Sequence, residues 1–205
     1  MEGYVSKDEI KQYKDLFDNI IFKIRKDIKR EGITFTHNLV GSGKRNLIVR
    51  HPTKGCDLDY QILLQKNSKA LSPKDIKDRF RILFNKYKPS GYSDCEDSTS
   101  ALTMKRKDTK LSKIVFSYDI VILRDRDCLE IIRRSAPNEY VWNKLKMMNG
   151  FNMRLKQICS SQMWNELRNR YYKKKIKQMN GETDKKSFQL LNEAVNEVLN
   201  YFLNS

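Results

Sequence analysis

Apolar positions along this chain recur with two different periods. From Ser6 to Arg30 they recur at helical spacing, with Ile10, Tyr13, Phe17, Ile20, Ile21, Ile24 and Ile28 on one face. Ser6 and Glu9 have the spacing of a capping box and Gly32 is a natural stop, so a helix is predicted over this span. The period then shortens. Residues 33–40 (ITFTHNLV), 57–64 (DLDYQILL), 101–107 (ALTMKRK) and 113–123 (KIVFSYDIVIL) are rich in β-branched and aromatic residues and predict strands, with a further strand over Cys128–Ile132. Between them, Ser72 as N-cap and Pro73 at the first helical position predict a helix running to about Tyr87. Residues 92–99 predict an acidic polar loop. After Pro137 turn signals become rare and helical spacing returns, predicting helices over Val141–Arg154, Ser161–Gln178 and Asp184–Leu203. Asn180-Gly181 separates the last two, and Thr183 is placed to cap the final one, whose Phe188, Leu191, Val195, Val198 and Phe202 share a face.

These elements predict an α+β fold: a mixed sheet flanked by helices (residues 1–137), then a helical C-terminal domain (residues 138–205). The 205 residues suit one large domain or two small ones. No stretch approaches the roughly 20 apolar residues of a membrane span, and the N-terminal MEGYVSKDEI lacks an apolar signal core. A soluble, cytoplasmic protein with no membrane partner is expected.

Charge adds a partner class. The formal net charge is +16, which favours polyanions such as nucleic acid or nucleotide phosphates, although a solvated Lys-rich surface explains the same number. Cys56, Cys95, Cys128 and Cys159 are far apart and the only histidines are His37 and His51, so a zinc site is disfavoured and the thiols read as ordinary small residues.

The candidate chemistry is acidic. Asp57 and Asp59, two apart on one strand, point to the same face. Paired carboxylates raise each other's pKa unless a cation sits between them, and a hard divalent ion such as Mg²⁺ prefers such oxygens. Asp119 lies inside an apolar strand, where an acid is costly without a partner. If the two strands are neighbours, three carboxylates converge. Upstream, Gly41 lets the backbone approach a phosphate and Ser42 adds a hydroxyl, with Lys44 and Arg45 next to them.

Val40-Gly41-Ser42, then Asp57-Leu58-Asp59, then Asp119 on a later strand resembles the nucleotidyltransferase superfamily of the DNA polymerase beta type. The Lys44-Arg45 pair and the Gly55-Cys56-Asp57 approach look most like the branch of oligoadenylate synthases and bacterial cyclic-oligonucleotide synthases. The resemblance covers roughly residues 33–123. In length the chain looks more like a smaller, stand-alone transferase. The resemblance implies that Asp57, Asp59 and Asp119 are catalytic and bind Mg²⁺ (or Mn²⁺), and that Gly41 and Ser42 hold the triphosphate of an NTP such as ATP, assisted by Lys44 or Arg45. It implies that Asp119 completes the metal site near an acceptor hydroxyl, whose attack on the α-phosphorus releases pyrophosphate.

The acceptor stays open: RNA or tRNA, a nucleotide, a small molecule or a protein. Residues 168–177 (RNRYYKKKIK) mix basic and aromatic side chains, suited either to an RNA backbone or to a solvated helix with tyrosines packed inward. Trp142 and Trp164 read as helix-packing residues, and His51 lies in the loop before Asp57. The alternative to an enzyme is a catalytically inactive protein of the same fold that binds nucleic acid or a protein partner through its basic surface.

Overall fold

A computed structural model describes residues 3–52, 54–65, 71–111, 113–124, 129–145, 149–160 and 163–203. They form two compact units, residues 5–145 and residues 3–4 with 149–203.

The first unit is built on a seven-stranded mixed sheet. Its helices are α1 (Lys7–Lys29), the five-residue α2 (Gly41–Arg45) and α3 (Pro73–Tyr87). Its strands are β1 (Phe35–Leu39), β2 (Cys56–Leu64), β3 (Glu96–Asp97), β4 (Ala101–Asp108), β5 (Lys113–Arg124), β6 (Glu130–Ala136) and β7 (Glu139–Lys144). The order is β1-β2-β5-β4-β3, with β6 joined to β5 and β7 to β6. β2 and β5 run parallel, whereas every other pair is antiparallel.

Helix α1 forms where its periodicity places it. Ser6 Oγ accepts from Glu9 N at 3.2 Å, while the Glu9 carboxylate pairs with Arg50 instead of closing the capping box. All seven of its periodic apolar residues are buried. They cover one face of the sheet: Tyr13 stacks on Phe116 with centroids 3.6 Å apart, Phe17 stacks on Tyr60 at 3.7 Å, and Tyr118 donates to Tyr13 O at 2.7 Å. Alternation in β2 and β5 sends Cys56, Leu58, Tyr60, Ile62, Phe116, Tyr118, Ile120 and Ile122 into this core. Residues of odd number in both strands therefore reach the opposite face. Burial pushes the Cys56 and Cys95 thiols up to about 12, so neither is a thiolate near neutrality.

The structure corrects two predictions of element type. Within the loop expected over residues 92–99, Glu96–Asp97 form the short strand β3, paired with β4. The helix expected over Val141–Arg154 is strand β7 as far as Lys144 and helical from Asn149, because Asn138 takes a left-handed conformation (φ 63°) and closes a hairpin with β6. Tyr140 and Trp142 then face the core while Val141 is 41% exposed, a period of two carried by too few residues to stand out from helical spacing. The expected strand over Cys128–Ile132 is β6, which starts at Glu130; Cys128 lies outside the described residues.

In the second unit, α4 (Asn149–Ser160), α5 (Trp164–Met179) and α6 (Ser187–Leu203) pack around Phe151, Ile158, Leu167, Tyr171, Leu190, Leu191, Val195 and Val198. The predicted start of α5 at Ser161 lies outside the described residues. Phe188 and Phe202 stay exposed. Much of the basic-aromatic segment serves internal pairing. Lys174 binds Glu193 at 3.5 Å and Glu197 at 2.7 Å, Arg170 binds Glu166 at 2.6 Å, and the Arg168 guanidinium lies 4.1 Å above the Tyr4 ring. Among the described residues no helix is long and apolar enough to cross a membrane.

Candidate active site

The parallel pairing of β2 with β5 is what assembles the acidic cluster. Asp57 lies opposite Ser117 and Asp59 opposite Asp119. Both aspartates of β2 and the aspartate of β5 point away from the aromatic core, and oxygens of all three lie within 4.8 Å of one another. Asp57 is exposed, and Asp59 and Asp119 are half-buried. Burial, then the charges of Asp57 and Asp119, push the Asp59 carboxyl up to about 7.

Two neighbours hold this cluster in place. β4 adds a third member to the rung: Thr103 lies opposite Asp119 and donates from Oγ1 to Asp119 Oδ1 at 2.6 Å. On the other flank Val40 N donates to Asp59 O at 2.9 Å, which seats the start of α2 against β2. Gly41 there has φ +61°, and a Cβ at that position would lie 2.1 Å from Asp59 Oδ2. Only a residue without a side chain lets the turn lie against the carboxylate. Ser42 is half-buried beside it, and Arg45 donates to Gly41 O at 2.8 Å, bracing the turn, while Lys44 is exposed.

Asp57, Asp59, Asp119, Gly41 and Ser42 thus come together, with Arg45 on the Gly41 carbonyl. His51 instead helps to shape its own loop: its backbone pairs with Gly55, and Lys54 N donates to its Nδ1 at 3.2 Å. Trp142 packs against the core with the Arg124 guanidinium 4.4 Å above its ring. Two residues of the site carry no signal of their own in the sequence: Thr103, and the close-packed Gly43, where a Cβ would lie 2.4 Å from a Leu58 methyl. Alternation in β4, with Leu102 and Met104 buried, already puts Thr103 on the outward face. Its place beside Asp119 depends on a long-range register.

Three converging carboxylates, one kept protonatable near neutrality by burial and then by its neighbours, fit a hard divalent cation, which prefers oxygen ligands and would relieve their repulsion.

No protein-family model and no curated protein matches the chain in sequence. Solved structures match it in fold. Vibrio cholerae DncV, a cyclic AMP-GMP synthase in complex with nonhydrolyzable GTP, aligns at a TM-score of 0.71 and 13% identity, covering 96% of this chain and 68% of that one. Escherichia coli DncV, in its 3'-deoxy GTP bound form, aligns at 0.66 and 12% identity, covering 96% and 69%. Bradyrhizobium diazoefficiens CdnG, a CD-NTase in complex with GTP, aligns at 0.55 and 16% identity, covering 75% and 43%. The chain has the nucleotidyltransferase fold. Within it, Vibrio cholerae DncV is a cyclic AMP-GMP synthase, of the branch that the sequence motifs resemble.

Proposed function

We propose that this chain is a metal-dependent nucleotidyltransferase, moving a nucleoside monophosphate from an NTP to an acceptor hydroxyl with release of pyrophosphate. The observation that carries the reading is the rung itself. Asp59, Asp119 and Thr103 stand side by side on three strands, Asp57 lies one position along the same face, and a Cβ-free turn presses on Asp59. A protein that only bound polyanions would gain nothing from three acids on its open face.

In this reading Asp57, Asp59 and Asp119 hold Mg²⁺ or Mn²⁺, which supplies charge neutralisation of the triphosphate and activation of the attacking hydroxyl. Gly41 and Ser42 receive the triphosphate on the β1–β2 flank, with Lys44 near enough in sequence to screen its charge. Asp119, on the far side of Asp59, faces the acceptor and accepts the hydroxyl proton as that oxygen attacks the α-phosphorus in line. The side chains position and neutralise, which is most of what phosphoryl chemistry asks of a protein. The test is incubation with each labelled NTP and Mg²⁺, with and without total RNA. Label should move to RNA or to a small product and stop on chelation; absence of transfer under every condition overturns the reading.

Thr103 has a separate consequence. Its hydroxyl fixes one oxygen of Asp119 and leaves the other for a metal. Thr103→Val keeps the shape and removes the donor, so the Mg²⁺ concentration for half-maximal transfer should rise about 10–100-fold, the usual penalty for losing a partner of a metal ligand. Thr103→Ser should restore it, and both variants should melt like the parent.

A further inference from the structure

A pocket of about 310 Å³ opens in the same unit, lined by Ser100, Ile131, Arg133, Asn143, Lys144 and Leu145. Its position follows from the strand pairing. β6 joins β5 at Leu123–Ile131, and Arg134 N donates to Thr99 O at 2.7 Å, so the β6–β7 hairpin lies on the β4 side of β5. β1, β2 and α2 lie on the other side. Ile122 and Ile132 are buried, and Tyr140 and Trp142 pack against the core. Alternation therefore puts Ile131, Arg133 and Asn143 on the face of Asp119. Between the pocket and Asp119 lies one rung, in which Val121 has the small apolar Ala101 of β4 on the pocket side and Gln61 of β2 on the other. From Asp119 to Leu123 is four positions of strand, about 13 Å.

We propose that this pocket is the acceptor subsite: Arg133 takes a phosphate of an acceptor nucleotide, whose sugar and base lie over Ala101 and Val121 with a hydroxyl turned to Asp119. The assignment rests on the transferase reading and names its second substrate. It places donor and acceptor on opposite flanks of one rung of carboxylates, as in-line transfer requires. Arg133 is exposed, and its planar fork suits phosphate oxygens. The Asn143 amide and Ser100 hydroxyl add neutral hydrogen-bonding groups, and Ile131 and Leu145 add an apolar wall for a ring. No carboxylate lines the pocket; Glu130, the acid on β6, binds Arg124 Nε at 2.7 Å. The volume is at the small end for ligand sites, matching one nucleotide unit. That unit is either a free nucleotide or the end of an RNA chain.

The test titrates the protein, saturated with a nonhydrolysable NTP and Mg²⁺, with AMP, with a short 5′-phosphorylated oligoribonucleotide and with adenosine. At least one phosphorylated probe should bind more tightly than adenosine, and which one does so separates free nucleotide from RNA end. Arg133→Gln should weaken that probe about tenfold or more, Arg133→Lys less, with affinity for the NTP analogue and the melting temperature unchanged. In turnover, Arg133→Gln should raise the acceptor KM about tenfold at unchanged donor KM. Equal binding of AMP, oligoribonucleotide and adenosine, or equal acceptor binding by parent and Arg133→Gln, overturns the proposal. If binding depends on Arg133 but the parent transfers to no acceptor, the transferase reading falls and takes the acceptor role with it, leaving only a phosphate pocket.

Discussion

Asp59→Asn should lower Mg²⁺-dependent transfer by about 10²–10³-fold, the scale of losing one pre-organised electrostatic group, and should also make the metal-free protein more stable at pH 8. Both effects have one cause. The folded protein holds the Asp59 carboxyl at about 7 against an ordinary 3.8, because it is buried and faces Asp57 and Asp119. Between those values the folded state keeps a proton that the unfolded chain releases. Stability therefore falls as pH rises from about 4 to about 7, and the full cost stands above that. Below pH 4 both states are protonated and the cost is absent. The rise corresponds to about 4 kcal/mol at most, and at about 2–4 °C per kcal/mol for a chain of this size the difference in Tm should be several degrees. Melting curves of parent and Asp59→Asn without metal should coincide near pH 4 and separate by pH 8, the variant melting higher. Mg²⁺ should raise the Tm of the parent at pH 8 and leave that of the variant little changed, since only the parent holds the ion. Asp57→Ala should share the loss of transfer while remaining folded, because Asp57 is exposed. Near-normal transfer by either variant would remove the carboxylates from the mechanism.

Such a cost is characteristic of a site in which local signals disagree, and that disagreement is what made the acids legible. Asp119 stands out because eight of its ten neighbours in residues 113–123 are apolar or aromatic and argue for a buried strand. Helix α1 and strands β2 and β5 were equally legible, since their buried faces repeat at 3.6 and at 2 residues. What local pattern does not carry is register. Thr103 becomes the partner of Asp119, and Arg133 joins the face of Asp119, through antiparallel pairings between separate strands. β7 was hidden for another reason. Its hairpin turns on a left-handed Asn138 after a proline, and its inward residues, Tyr140 and Trp142, serve a helix as well as a strand. The net charge of +16 pointed to anions in general. The folded helices α5 and α6 show much of that charge in ion pairs, whereas Arg133 is exposed on the carboxylate face.

Asp97→Ala should unfold the first unit more readily than any exposed substitution on it. Lys77 of α3 is 2% exposed, with its ammonium 2.6 Å from Asp97 Oδ1 of β3 and donating to Ser98 O at 2.8 Å. Tyr140 of β7 donates to the other Asp97 oxygen, and its ring lies 5.4 Å from the ammonium. Burial pulls the Lys77 pKa down and Asp97 opposes it; burial pushes Asp97 up, but the hydrogen bonds from Lys77 and Tyr140 outweigh that and hold it low. Removing the acid alone leaves a cation buried without its partner, at a cost of about 3–5 kcal/mol. At 2–4 °C per kcal/mol the Tm should drop by about 10 °C, read by thermal or urea unfolding. Lys77→Met combined with Asp97→Asn should recover most of the loss, because the charge goes and Asn still accepts from Tyr140. If the single variant instead melts within a degree or two of the parent, the pair is not what ties α3, β3 and β7 together. The location gives the result a functional edge. Ser98 also closes the turn into β4, with its N donating to Ala101 O at 3.0 Å. β4 carries Thr103 to Asp119. A partly folded Asp97→Ala protein should therefore require more Mg²⁺ for transfer, as Thr103→Val does, although Asp97 reaches none of the three carboxylates directly.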